Sequence, residues 1–326
     1  MSKFDNVQYE TEDRVAIITL DRVRYRNALS DFLMEDLDAA FKQAVDDRDI
    51  RAITVFGAGE HFSAGHDLGS PQRAEGEVNK PTEEGIRGKY RRSWDFDVER
   101  GLRWRSLEKP VIAGVHGYCI FAAWAVASCA DIIFASDDAL FLPSNFQYFS
   151  VPWDLHHRKA KEILFESRFI DAEEAKQTGL VNRVYAKDDL RTETLAYAHR
   201  VSENDPFQLR MMKMAINQAQ DIQGLTAHIQ GSYAHYSLSS NAEKDPGYAL
   251  AETDGKRRPM VQRALDKEDF AAAIAALATL RRPVDIFFDK VTVNTNDADL
   301  RVNRLCLLSQ FGATLNQIAN FSLIEG

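Results

Sequence analysis

The stretch from Lys109 to Asp131, K-P-V-I-A-G-V-H-G-Y-C-I-F-A-A-W-A-V-A-S-C-A-D, constrains this chain most. Val111 to Val115 is a short β-rich run, Gly117 breaks it, and small apolar residues follow at helical density. A strand that turns into a helix through small residues brings backbone N–H groups to a helix N-terminus. There they can hold a developing negative charge. Taken alone, the same pattern also describes a buried strand and helix without chemistry. The run from Val111 to Ala135 is long enough to span a bilayer. His116 and Asp131 interrupt it and Gly117 divides it, so it reads as a buried core segment.

Composition narrows the function classes. At 326 residues the chain can bury a large core, and 45% apolar with 27% charged residues is ordinary for a soluble protein. A net charge of −9 gives no general footprint for nucleic acid or an anionic membrane. Cys119, Cys129 and Cys306 lack metal-ligand spacing and are too few for a disulfide framework. With no basic, apolar leader in M-S-K-F-D-N-V-Q-Y-E, the expectation is a reducing, cytoplasmic setting and no metal.

Along the chain, Val7 to Asp21 alternates as a hairpin with its turn near Asp13. Ser30 is a helix N-cap ahead of a face formed by Phe32, Leu33, Leu37, Phe41 and Ala44. Ile50 to Phe56 is a strand leading into G-A-G-E-H-F-S-A-G-H-D-L. Residues 69 to 108 are charged and read as a mobile insertion followed by a helix. Tyr90, Trp94 and Trp104 there suggest a wide lid over a bulky acyl group. Ile132 to Phe141 reads as one strand, Arg158 to Phe165 as the start of a helix. D-A-E-E-A-K-Q-T-G is a short capped helix stopped at Gly179, and Pro206 to Gln220 is a helix with proline in its first turn. Composition shifts near Gly255 to Gln262, beyond which 264–326 reads as a small all-α module.

Four stretches together resemble the crotonase (enoyl-CoA hydratase/isomerase) superfamily: L-D-R-V-R-Y-R-N-A-L at 20–29, H-F-S-A-G-H-D-L at 61–68, K-P-V-I-A-G-V-H-G-Y-C at 109–119 and I-D-A-E-E-A-K-Q-T-G-L-V-N-R-V at 170–184. The resemblance covers about 5–260, within a first domain read as 1–260. It implies an α/β fold, a spiral of ββα units, assembled as a homotrimer or hexamer. It also implies an acyl-CoA thioester substrate, with coenzyme A as part of the substrate and no separate cofactor. In that family two backbone N–H groups polarise the thioester carbonyl and stabilise an enolate. Carried over, they are those of His66 and Ala122. The resemblance further places Arg26, Ala64, Asp67, Leu68, Ser144 and Trp153 at substrate or CoA positions.

The departures matter as much. Where the family carries its two hydratase glutamates, this chain has Ala125 and, at about the second position, Asn145. Hydration needs one group to activate water and another to protonate the α-carbon, and neither alanine nor an amide does this. The expectation is enolate chemistry of another kind: isomerisation, C–C cleavage or formation, or thioester hydrolysis. R-K-A-K-E-I-L-F-E-S-R-F-I-D-A is similar to the naphthoate synthase branch, which carries a catalytic aspartate nearby. Asp154, beside Trp153, sits near that position and would titrate high in a dry pocket; a helix N-cap is its structural alternative. Two other readings stay open. One is a catalytically silent CoA-ester-binding oligomer. The other is RNA binding through the tail, because 264–326 is similar to the C-terminal anticodon-binding domain of the glycyl-tRNA synthetase β subunit. The few cations in 297–326 (Arg301, Arg304) argue against nucleic acid as a partner.

Overall fold

The computed structural model describes residues 4–72 and 83–242. The tail at 264–326, its resemblance and Cys306 lie outside the described residues.

Strands β1 (Val7–Glu12) and β2 (Val15–Leu20) pair antiparallel as a hairpin, with Asp13 at φ +50° in the turn. Aspartate tolerates that left-handed conformation, which a tight hairpin requires. Strand β3 (Ala52–Gly57), β4 (Val111–Val115), β6 (Ile132–Ser136) and β9 (Arg183–Tyr185) extend the sheet in parallel, giving the order β1-β2-β3-β4-β6-β9. A second sheet has the order β5-β7-β8, built from Tyr118–Ile120, Leu140–Leu142 and Ile170–Asp171. The expected single strand from Ile132 to Phe141 is therefore two. Asp137 and Asp138 form the corner, where Asp138 accepts from the Gly117 amide at 3.3 Å and the chain leaves one sheet for the other.

The spiral is visible in this alternation. β4 leads through β5 of the small sheet into helix α4 (Ala122–Ser128), and β6 leads through β7 into α5 (Val151–Asp154) and α6 (His157–Glu166). The earlier turns are shorter versions. After β3, among the described residues, Ser63 bridges in parallel to Cys119 and His66 to Leu29 before helices α2 (Gly85–Ser93) and α3 (Arg100–Arg105). After β2 only Leu29 bridges to His66 before α1 (Asp31–Asp46). This is the crotonase-like α/β fold.

The parallel strands are apolar on both faces, as a covered sheet requires. Ala16, Ile18, Ile53, Val55, Ala113, Val115, Ile133 and Ala135 point into the main core. Val15, Ile17, Ala52, Phe56, Ile112 and Phe134 face the other side, under α8 (Leu190–Ser202) through Leu190 and Ala198. Helix α1 is capped as expected, the Ser30 hydroxyl accepting from the Leu33 amide at 3.2 Å. Asp171 does the same for α7 (Ala172–Gln177), accepting from Glu174 at 2.8 Å. Helices α9 (Pro206–Ile222) and α10 (Leu225–Asn241) complete the described chain.

The charged segment is not loose where it is described. α2, a π-helical stretch (Trp94–Glu99) and α3 run on as one helical rod from 85 to 105. Trp104 is not part of a lid. Its ring is buried against Phe41 and its Nε1 donates to Asp38 at 2.7 Å. Among the described residues no helix is long and apolar enough to cross a membrane.

Candidate active site

The site forms where two parallel chain segments lie side by side. Ser63 donates its amide to Tyr118 and accepts from Ile120, fixing the bridge between Ser63 and Cys119. Three residues further along each segment stand His66 and Ala122, so a parallel register brings them to the same level. Gly65 makes the approach possible. It has φ +84°, and a Cβ there would sit 2.4 Å from the Ile120 carbonyl oxygen. Gly117 serves the same corner from below, at φ +53° with a virtual Cβ 2.1 Å from Glu60 oxygen. Neither larger side chain nor ordinary backbone would fit at these points.

Ala122 opens helix α4, so its amide has no partner within the helix, and neither it nor the His66 amide donates to an acceptor among the described residues. The residue before it, Phe121, is held at φ +53°, ψ −111°, a region a side chain occupies only when its surroundings force it. Strain at this turn and two uncommitted amides are features that a preorganised anion site requires.

The imidazole of His66 faces a cavity of about 390 Å³. Gln147 lies 3.3 Å from its Nε2, and Asp97, Tyr90, Tyr233 and Tyr236 share the wall. Tyr90, Trp94 and Tyr233 stack into one aromatic cluster, with ring centroids 4.7 to 6.1 Å apart. Two of the three aromatic residues expected over the acyl group thus stand at this cavity's wall or against it. Asp97 lies on the π-helical stretch. Burial raises its pKa, opposed by the nearby charges of His66, Arg92 and Arg100 and by a hydrogen bond from Ser93. Nothing in S-W-D-F-D-V-E separates Asp97 from the exposed Asp95, so sequence reasoning missed it.

The other expected positions divide into two groups. Arg26 is exposed on the loop beside the first amide turn, and its carbonyl accepts from Ala64 at 2.9 Å. Leu68 is exposed at the cavity mouth. Asp67 is braced inward instead. It pairs with Arg22 at 3.0 Å, both side chains 4% exposed, and accepts from the amides of Gly69 and Ser70. Ser144 is half-buried and Asn145 exposed, and neither lines the cavity that holds His66.

Asp154 does not reach this cavity either. Its carboxylate accepts from Trp124 Nε1 at 2.6 Å, Ser150 at 2.7 Å and Ser128 at 2.8 Å. Burial raises its pKa, the expected direction, but it faces a different cavity together with Trp153, whose Nε1 donates to His228 at 3.0 Å. Nor is Asp154 a helix N-cap; it ends α5, and His156 precedes α6. Among the described residues no group of three His, Cys, Asp or Glu side chains is arranged to hold a metal ion.

Comparison with known proteins identifies relatives of this chain. Residues 10–255 match the family model described as enoyl-CoA hydratase/isomerase. A Mycobacterium tuberculosis relative whose name places it among the enoyl-CoA hydratases, EchA13, is 35% identical over 258 residues, covering 73% of this chain and 81% of the relative. The solved enoyl-CoA hydratase/isomerase from Xanthobacter autotrophicus Py2 superposes with a TM-score of 0.65 at 28% identity, covering 84% of this chain and 97% of that one. A solved enoyl-CoA hydratase from Mycobacterium smegmatis gives a TM-score of 0.67 at 27% identity, over 82% of this chain and 96% of that one.

Proposed function

This chain belongs to the enoyl-CoA hydratase/isomerase family of acyl-CoA-processing enzymes, and on that premise we propose that it stabilises a thioester enolate without the paired glutamates of a standard hydratase. The two amides of His66 and Ala122 receive the thioester oxygen, and charge that develops there is held by preorganised donors in a sheltered site. Each such donor contributes about 10²–10³ in rate. Because only the backbone acts, the identity of either side chain is free for other use, and here His66 turns its ring into the acyl cavity.

The observation that carries the reading is the shared register of the two amide turns, combined with Ala125 in the first glutamate position and no glutamate among the described residues of the cavity wall. Water activation and α-carbon protonation by a glutamate pair have no counterpart there. The reaction class is therefore proton movement or C–C chemistry next to the carbonyl, on a thioester whose acyl part reaches the Tyr90–Tyr233 cluster. In this reading the exposed Arg26, beside the first amide turn, meets the CoA phosphates. The active unit in this reading is a trimer or a dimer of trimers, working without a separate cofactor in the cytoplasm.

A panel of enoyl-, 3-oxoacyl- and aryl-acyl-CoA thioesters tests this by calorimetry and mass spectrometry. Expected are binding across the panel, turnover of a subset, and no measurable hydration of crotonyl-CoA. Rapid crotonyl-CoA hydration would overturn the non-hydratase reading, and binding without any turnover would leave a CoA-ester-binding oligomer.

A further inference from the structure

We propose that the Asp97 carboxylate is the group that carries the substrate proton in this cavity, a role that rests on the enolate reading above. Three acids stand on the cavity wall: Asp31, Asp67 and Asp97. Asp31 is paired with Arg92 and Asp67 with Arg22. Asp97 forms no ion pair among the described residues, and Ser93, one turn back on the same helix, is the side chain whose hydrogen bonding favours its ionised form. The nearest arginine on its C-terminal side, Arg100, is turned to Glu35 at 2.7 Å. A carboxylate left uncommitted beside an acyl cavity is poised for proton transfer rather than for holding the fold.

Its position fits the reaction. His66 supplies an oxyanion amide from its backbone and shares the cavity wall with Asp97 through its ring. A thioester whose oxygen sits at the His66 amide therefore has its acyl part beside the cavity whose wall carries Asp97. Asp97 also lies within the π-helical stretch Trp94–Glu99. Such stretches interrupt a regular helix and are frequent at functional sites, because the extra residue re-aims the side chains of that turn.

The step balances without an oxidant or co-reactant. The ionised Asp97 takes a proton from the carbon next to the thioester carbonyl. The C–H electron pair becomes the enolate, held on oxygen by the amides of His66 and Ala122. Return of the proton to the same carbon gives exchange, and return to the γ-carbon of an unsaturated acyl chain gives the shifted double bond. In both cases the carboxylate is regenerated.

The test is exchange of the α-protons of phenylacetyl-CoA in deuterium oxide, followed by NMR on the full chain. Wild type is expected to exchange, and Asp97→Asn to lose about 10²–10⁴-fold in rate with phenylacetyl-CoA affinity kept within about threefold by calorimetry. The wild-type rate rises with pH on an acid limb whose midpoint lies above the ordinary carboxylate range, and that limb is absent in Asp97→Asn. His66, Arg92, Arg100, Tyr233 and Tyr236 are the charged and titratable groups that face Asp97. Ser93→Ala removes the hydrogen bond that favours the ionised form, so it moves the midpoint upward while the chain stays folded, a readout independent of Asp97→Asn. Wild-type exchange in Asp97→Asn, or an unmoved limb in Ser93→Ala, overturns the proposal. Binding of the thioester with no exchange in wild type also overturns it and leaves the acyl-CoA reading intact. No binding at all removes both.

Discussion

At the scale of single residues, the buried pair Arg22–Asp67 decides a question that the motif left open. H-F-S-A-G-H-D-L places Asp67 beside the first oxyanion amide, which invites a substrate role. In the fold both partners are 4% exposed and Asp67 braces the loop that carries His66. Removing one partner of a buried pair leaves the other charge unpaired at a cost of about 3–5 kcal/mol. Arg22→Met is therefore expected to lower unfolding stability by that order in urea titration, and an undiminished midpoint would return Asp67 to the surface chemistry of the site. His61 gives a pH prediction. Its Nδ1 accepts from the Tyr118 amide at 3.3 Å and its ring stacks on Tyr118 with centroids 4.4 Å apart. Burial first, then Arg26 and His116, lower its pKa from 6.5 to about 4. A protonated ring has no acceptor to offer, so folding holds the neutral form. The contribution is full above pH 6.5, the unfolded value, and is lost as pH falls from there towards about 4. Thermal melts of wild type should fall across that window, and His61→Gln should flatten the fall. The glutamates' absence was legible at Ala125 because one residue type cannot do acid–base work. What replaces them was not, because Asp97 depends on a π-helical turn that has no sequence signature.

At the scale of elements, apolar periodicity announced most of what the fold contains. Val111–Val115, the Ser30-capped α1 and the Asp171-capped α7 all carry their own local signals. The rod from 85 to 105 carries almost none, since it is held to α1 by charge. Arg92 pairs with Asp31, Arg100 with Glu35 at 2.7 Å, and Arg103 with Asp38 at 2.7 Å. Residues 31, 35 and 38 follow helical spacing on α1, so an ionic seam stands where an apolar stripe would have been readable. The members of that seam are unequal. Arg103 is half-exposed, and a pair of that kind contributes about 0.2–1 kcal/mol. Arg100 is buried, lies over the Phe96 ring at 3.9 Å and would leave Glu35 and a cavity behind. Arg103→Ala is expected to be nearly neutral in thermal unfolding, whereas Arg100→Ala costs about 3 kcal/mol and loosens the wall that carries Asp97. Equal effects from the two would mean that the rod is held by packing rather than by the seam.

At the scale of the whole molecule, burial is nearly complete on the central strands β2, β3, β4 and β6 of the large sheet, so unused apolar surface stands out. It concentrates on α9, where Phe207, Met211, Met212, Met214, Ile216 and Ile222 remain exposed. Phe207, Met211 and Met214 recur at helical spacing and form one stripe, while Lys213 on the same helix is turned inward to Asp131 at 2.7 Å. The helix is therefore fixed from its inner face and leaves its outer stripe to another surface. Soluble chains rarely leave such a stripe uncovered, and a spiral fold presents the same stripe on every copy, which closed symmetry can bury. Sedimentation equilibrium is expected to give a mass about three or six times the 36.9 kDa chain. The double substitution Met211→Glu with Met214→Glu places two carboxylates in that interface without touching the inner face, so the protein should become monomeric with its far-UV spectrum unchanged. A wild-type monomer would mean the stripe has a different occupant, and an assembly indifferent to both substitutions would move the interface off α9. Whether the monomeric variant still exchanges α-protons then separates a site complete within one chain from one that needs its neighbours.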